Sequence, residues 1–259
     1  MPPPIQRAVV IACCLYCGLL VPSRAEEVAA RSYAVLSLLG DTISIVTQGA
    51  ETGHRIDQNQ KDTVAIPNAV FDEAALLAAD RAIRLSQPEA STVLMVTRDH
   101  GLYQAQNGLF DAIESNRENR EFLKKLLKDR PVSHLILITK FRAEAELRTL
   151  DTALGTGRLE GLGFFMDDNL AVRDEKTLAS GTGILAPFAY VKVRLLDART
   201  LQVIREAHEK KSRVAGNFDT YTSGKHAWQV LTAKQKIAYL QDLIGVAMTA
   251  AIPGLLPHP

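Results

Sequence analysis

All three cysteines of the chain, Cys13, Cys14 and Cys17, fall within one uncharged run from Ala8 to Val21. Nothing after that run can be stapled by a disulfide or a thiolate–metal site, so a fold there must be held by its hydrophobic core. The run also has recognisable flanks. Arg7 precedes it, Ser23-Arg24-Ala25 follows as a small-x-small site, and Glu26-Glu27 opens the remainder. These are the n-region, h-region and cleavage site of a secretory signal peptide. The run is shorter than the roughly 20 residues needed to span a bilayer, which favours cleavage over anchoring. Lipid attachment at Cys13, within Val10-Ile11-Ala12-Cys13, is the alternative, and it would leave most of the apolar run on the mature protein.

We therefore expect residues 1–25 to be removed and residues 26–259 to form a single domain in the periplasm or the medium. The chain carries no Asn-x-Ser/Thr acceptor, which suits a bacterial envelope. Its formal net charge is +1, and the leader takes away Arg7 and Arg24 but no acid, so the mature chain stays near neutrality. That balance argues against nucleic acid or an anionic membrane surface as the main partner. No transmembrane segment is expected in the mature chain.

The mature sequence alternates strand-like and helix-like segments. Ser32–Leu39 and Thr42–Thr47 flank Gly40-Asp41 and read as a β-hairpin, and Thr63–Ile66 as a short strand. Asn68 is placed to cap a helix to about Leu85, with Phe71, Ala75, Leu76, Ala79, Ala82 and Ile83 on one stripe and Asp72 and Glu73 in the first turn. Ser91–Thr97 and His134–Thr139 read as buried strands, with a loop at Arg98–Gly101 and a helix over Leu109–Lys128 between them. Phe141–Arg148 alternates at the strand period. Gly155–Gly163 reads as a glycine-interrupted strand or tight loop running into Met166, and Asp167–Gly183 as polar connection. Phe188–Asp197 and Leu201–His208 form a second hairpin around Ala198-Arg199-Thr200. Thr232 with Gln235 makes a capping box for a last helix, with Ile237, Leu240, Leu243, Ile244, Ala247 and Met248 inward and Pro253-Gly254 as its stop. The fold class is α/β (α+β): one mixed sheet with two hairpins and about three packed helices, the last of them C-terminal.

Chemistry-bearing motifs are few. Arg98-Asp99-His100-Gly101 directly follows a buried strand, where α/β sheets often build sites, so Asp99 and His100 are the catalytic candidates. The segment resembles the Asp-His-Gly metal turn of sulfatases and alkaline phosphatases, but no paired-aspartate strand or nucleophile motif accompanies it. The bland reading is that both residues shape a turn. The six histidines show no ligand spacing, so no metal and no cofactor is expected. Gly155-x-Gly157 lacks the third glycine of a dinucleotide fingerprint, Glu160 standing in its place, and strand glycines explain it as well. Opposite charges from Arg117 to Arg130, such as Glu121 with Lys125, read as a solvated helix face, with partner docking as the alternative. Phe218, Tyr221 and Trp228 lie in a polar loop, as recognition aromatics do, although Trp228 could instead tuck under the last helix.

The stretch Tyr190-Val-Lys-Val-Arg-Leu-Leu-Asp-Ala-Arg-Thr-Leu-Gln-Val-Ile-Arg205 resembles the "strand, Asp-Ala-x-Thr, strand" hairpin of envelope proteins in the curli-assembly and penicillin-binding-protein-activator group. There, too, a long helix closes the domain. The resemblance implies a periplasmic domain that binds an envelope protein partner. The first-ranked reading is thus a non-enzymatic binding domain in envelope assembly or regulation. A hydrolase centred on Asp99 and His100, and a small-ligand cleft beside Gly155–Gly163, are the alternatives.

Overall fold

A computed structural model describes residues 31–49, 59–110, 116–148, 153–173, 180–214 and 227–257. The expected leader therefore lies outside the described residues, as do Phe218 and Tyr221. In chain order the strands are β1 (Ser32–Ser37), β2 (Thr42–Thr47), β3 (Gln60–Ala65), β4 (Ser91–Met95), β5 (His134–Lys140), β6 (Arg142–Glu144), β7 (Leu147–Arg148), β8 (Ala153–Leu154), β9 (Arg158–Arg173), β10 (Ser180–Asp197) and β11 (Val203–Ser212). The helices are α1 (Val70–Ser86), α2 (His100–Ala105), α3 (Arg117–Leu127) and α4 (Ala233–Leu255). A mixed nine-stranded sheet in the order β3-β2-β9-β10-β5-β1-β4 forms the body, with β11 also on β10 and β6 on β9.

The continuous apolar runs of β1 and β5 become the interior of a parallel trio, β4-β1-β5, covered on both faces. On one face α1 and α4 pack through Phe71, Leu76, Leu240, Ile244 and Met248. On the other, α2 and α3 contribute Leu102, Leu123 and Leu127. A third cluster, with Phe165, Phe188 and Tyr190, lies where β7, β9 and β10 meet. Strand β10 joins the halves: residues from Ser180 to Tyr190 pair with β9, and those from Val191 to Asp197 pair with β5.

The first expected hairpin is corrected. β1 pairs with β4 and β5, whereas β2 pairs with β3 and β9, so the two strands are not partners. A strand apolar on both faces gains more from two buried neighbours than from a half-exposed hairpin. Gly40 does not serve a positive-φ turn. It is small because a Cβ there would sit 2.5 Å from the Asp72 carboxylate.

Other elements shift as well. Asn68 does not cap α1; Ala69 holds that position without a side-chain cap. The polar stretch Asp167–Gly183 is partly strand, because β9 runs to Arg173 and β10 starts at Ser180. Phe141–Arg148 breaks into β6 and β7. Within Leu109–Lys128 only α3 is helical among the described residues, and α2 was not foreseen.

The second hairpin is present as β10 and β11. Its turn has a local cause: Asp197 Oδ1 accepts from the backbone N–H groups of Arg199 and Thr200 and from the Thr200 hydroxyl. The capping box of Thr232 and Gln235 also forms. Ile237, however, is 41% exposed and lies off the buried stripe of α4. Pro253 does not stop α4, which continues to Leu255. Side chains hold the end instead: Arg205 donates to the Leu256 carbonyl at 2.9 Å, and Gln87 and Arg31 donate to that of Pro257 at 2.8 and 2.6 Å. By length and composition α4 could cross a membrane, but its stripe from Leu240 to Leu255 is buried against the sheet, as in a core helix.

Candidate functional site

The carboxyl ends of the parallel trio carry the densest polar cluster among the described residues. The apolar stripe of α1 brings Asp72 there, 1% exposed, together with Ala75, Leu76 and Ala79. Its carboxylate accepts from Ser37 Oγ at 2.6 Å, Leu39 N at 2.9 Å and Tyr103 Oη at 2.7 Å. The N–H of Gly40 completes the shell at 3.1 Å. Burial pushes the Asp72 carboxyl above the ordinary range, against the pull of these donors. Burial, with the Asp72 charge beside it, raises the Tyr103 phenol in turn. The arrangement is a clasp that ties the end of β1 to α1 and α2.

A second ring of contacts surrounds it. Lys140 at the end of β5 reaches Asp41 and Thr42, each at 2.5 Å. Gln106 accepts from the Lys140 N–H and donates to the Tyr103 carbonyl, each at 2.8 Å. These contacts fix the β1–β2 connection over the sheet edge.

Asp99 and His100 lie at this same edge. Asp99 is the N-cap of α2, its Oδ1 accepting from Leu102 N at 2.9 Å. His100 is the first residue of that helix and is exposed. The structure thus gives Asp99 a turn-shaping role and brings neither residue against Asp72.

One other grouping has the elements of a nucleophilic triad. Ser133 Oγ lies 2.8 Å from His134 Nδ1, and Asp197 is the register partner of His134. The Ser133 hydroxyl also donates to the Ser32 carbonyl at 2.9 Å, and Asp197 is engaged by its own turn. The group stitches β1 to β5. Burial is the main cause of a lowered His134 pKa.

The glycines of 155–163 serve strand packing. A Cβ at Gly163 would meet the Ser44 carbonyl oxygen at 2.1 Å, and one at Gly161, where φ is +65°, would meet Lys140. Beyond them β9 makes its contacts with β2, β6 and β10. Trp228 sits in a 3₁₀ turn, Ala227–Val230, edge-on to Phe164 with ring centroids 5.4 Å apart. Lys236 lies 3.7 Å from its ring centroid and donates to its carbonyl. Trp228 is therefore the residue of the expected aromatic set that packs under the last helix. Among the described residues no group of His, Cys, Asp or Glu is placed to hold a metal ion.

A groove of about 500 Å³ opens between α3 and the β10–β11 turn. Arg117, Arg120 and Lys124 form one wall, Thr200 to Val203 the other, with Phe110 also lining it. Lys124 pairs with Glu121 at 2.8 Å, in place of the expected Glu121–Lys125 pair.

No protein-family model matches the chain, and no curated protein matches it. Solved structures give similarities of arrangement only. One is a PelC dodecamer from Paraburkholderia phytofirmans, 10% identical over 87% of this chain and 88% of that one, with a TM-score of 0.31. A neuraminyllactose-binding hemagglutinin homolog from Helicobacter pylori is 7% identical over 88% and 87%, with a TM-score of 0.35. A lipoprotein from Neisseria meningitidis is 10% identical over 75% and 94%, with a TM-score of 0.27.

Sequence reasoning missed Asp72, although one signal was available. An acid at a position three, four and seven residues before Ala75, Leu76 and Ala79 lies on the buried stripe, not on the solvent face.

Proposed function

We propose that the chain is an exported, non-enzymatic protein whose mature domain works in the cell envelope by binding another envelope protein. The observation that carries this reading is the state of the acids at the sheet's carboxyl edge. Asp72 is saturated by four donors and Asp99 is engaged as a helix cap, so each already has a structural task. The leader-like segment 1–25 supports export, and the β10–β11 hairpin supports the resemblance to periplasmic assembly domains. Phe218 and Tyr221 remain the proposed partner-contacting aromatics, Trp228 serving to anchor the end of their segment.

Two measurements test it. Intact mass of protein recovered from the periplasm or medium should place the amino terminus at Glu26; a chain starting at Met1 or at a lipid-modified Cys13 overturns the export part. For the binding part, Tyr221→Ala should abolish the cellular phenotype of the wild-type gene while His100→Ala leaves it intact. A His100→Ala protein that folds normally yet has lost all function would replace this reading with an enzymatic one.

A further inference from the structure

The groove between α3 and the β10–β11 turn has no part in the partner reading, and it has a chemistry of its own. Arg117, Arg120 and Lys124 recur at helical spacing, which aligns three cations along one stripe of α3. Glu121 is the acid on that wall, and Lys124 holds it at 2.8 Å. The stripe begins at the helix's amino end, where the backbone dipole adds positive potential. No side-chain cap offsets it: Asn116 at the N-cap donates its amide to the Gly108 carbonyl instead.

Arg194 of β10, with its side chain only 9% exposed, places its guanidinium 5.2 Å from the ring centroid of Phe110, which lines the groove. Its Nε is held by Glu206 at 2.6 Å, but its Nη1 is buried with no hydrogen-bond partner among the described residues. A guanidinium donor without an acceptor is costly in a folded interior, and a negative charge in the groove beyond Phe110 would lower that cost through its field.

The lining also selects the kind of anion. Three cations on one wall suit a group with three or more oxygens, which can take a fork from Arg120 and a point contact from Lys124 in the field of Arg117. A carboxylate offers two oxygens and one charge. Phe110, Leu201 and Val203 give the rest of the groove an apolar surface, so the phosphate should be attached to a carbon body. We propose that this groove binds an organic phosphate, either the headgroup of a phospholipid or a soluble phosphate ester.

The test uses the full mature chain, residues 26–259, with two probes. One is sn-glycerol 3-phosphate by calorimetry, the other phosphatidylglycerol vesicles by co-sedimentation against phosphatidylcholine vesicles. Binding to the first alone identifies a soluble ester, binding to the second alone a lipid headgroup, and either supports the proposal. The double variant Arg120→Ala/Lys124→Ala should weaken binding by about tenfold or more, since it removes charge-assisted contacts. Lys125→Ala removes one positive charge of the same helix from outside the groove and should leave binding unchanged. Gln202→Glu places a carboxylate on the opposite wall without touching α3 and should also weaken binding, which keeps the test decisive if the double variant does not fold. No binding of either probe overturns the proposal, and so does an equal loss in Lys125→Ala, which would mark unspecific attraction.

Discussion

Replacing Asp72 with alanine removes the acceptor for four donors inside a closed part of the fold. Two of them have a fallback: Leu39 N lies 3.4 Å from Ser37 Oγ, and Tyr103 Oη lies 3.4 Å from the Thr97 carbonyl. Among the described residues, Gly40 N and the Ser37 hydroxyl have Asp72 as their one acceptor. An unsatisfied buried donor costs about 1–3 kcal/mol, so two orphans, with two weakened bonds beside them, come to about 2–6 kcal/mol. Asp72→Asn keeps one carboxyl-like oxygen for Ser37, Leu39 and Gly40, and its amide can donate to the Tyr103 oxygen, so its cost should be about 1 kcal/mol. Urea unfolding at neutral pH measures both, followed by circular dichroism and by the fluorescence of Trp228, the chain's one tryptophan. The charge adds a pH dependence. Because burial raises the Asp72 pKa, the stability linked to its proton is fully present below the unfolded value of 3.8 and is lost as pH rises through the folded value. Wild type should lose stability over that window, and Asp72→Asn should lack this part of the slope. A cost below about 1 kcal/mol for the alanine variant would mean that the clasp does not hold the sheet edge.

Leu240 is 1% exposed on the inner stripe of α4, so Leu240→Ala should cost about 2–5 kcal/mol; a change under about 1 kcal/mol in the same urea assay would show the helix packs otherwise. Gly163→Ala would drive a Cβ against the Ser44 carbonyl of β2 and the Phe188 ring, so its melting temperature should fall well below wild type, and an unchanged one would refute the close approach of β2 and β9. Asp99→Ala should cost about 1 kcal/mol through loss of the α2 cap. His100→Ala should stay within about 0.5 kcal/mol, and the reverse order would contradict the roles assigned to the pair.

Local chemistry was legible in the sequence, and long-range pairing was not. The capping box at Thr232 and the Asp197–Thr200 turn depend on residues within three or four positions, so pattern alone finds them. The runs in β1 and β5 announced burial for the same reason. Their partners are another matter: Tyr33 sits beside Thr92 and His134, and nothing in a local window says so. Gly40-Asp41 does form a turn, but without a positive φ, and the smallness of Gly40 answers to a carboxylate on α1. Asp167–Gly183 looked like connection because its strands are largely polar, which hides the alternation that marks a half-buried sheet. Of the groove, the sequence offered only the charged face of α3, since α3 and the 200–203 turn meet only in the fold.

Strand β10 has a consequence for how the protein is made. The inner edge of β5, from Leu135 to Lys140, is closed only when Val191–Asp197 arrives beside it. Until then an emerging chain carries an unpaired, strongly apolar strand edge, the kind that recruits other chains. The first half of the same strand closes β9, so both halves of the sheet wait on β10. Its yield should therefore depend on how soon β10 is delivered to β5 once β5 has been made.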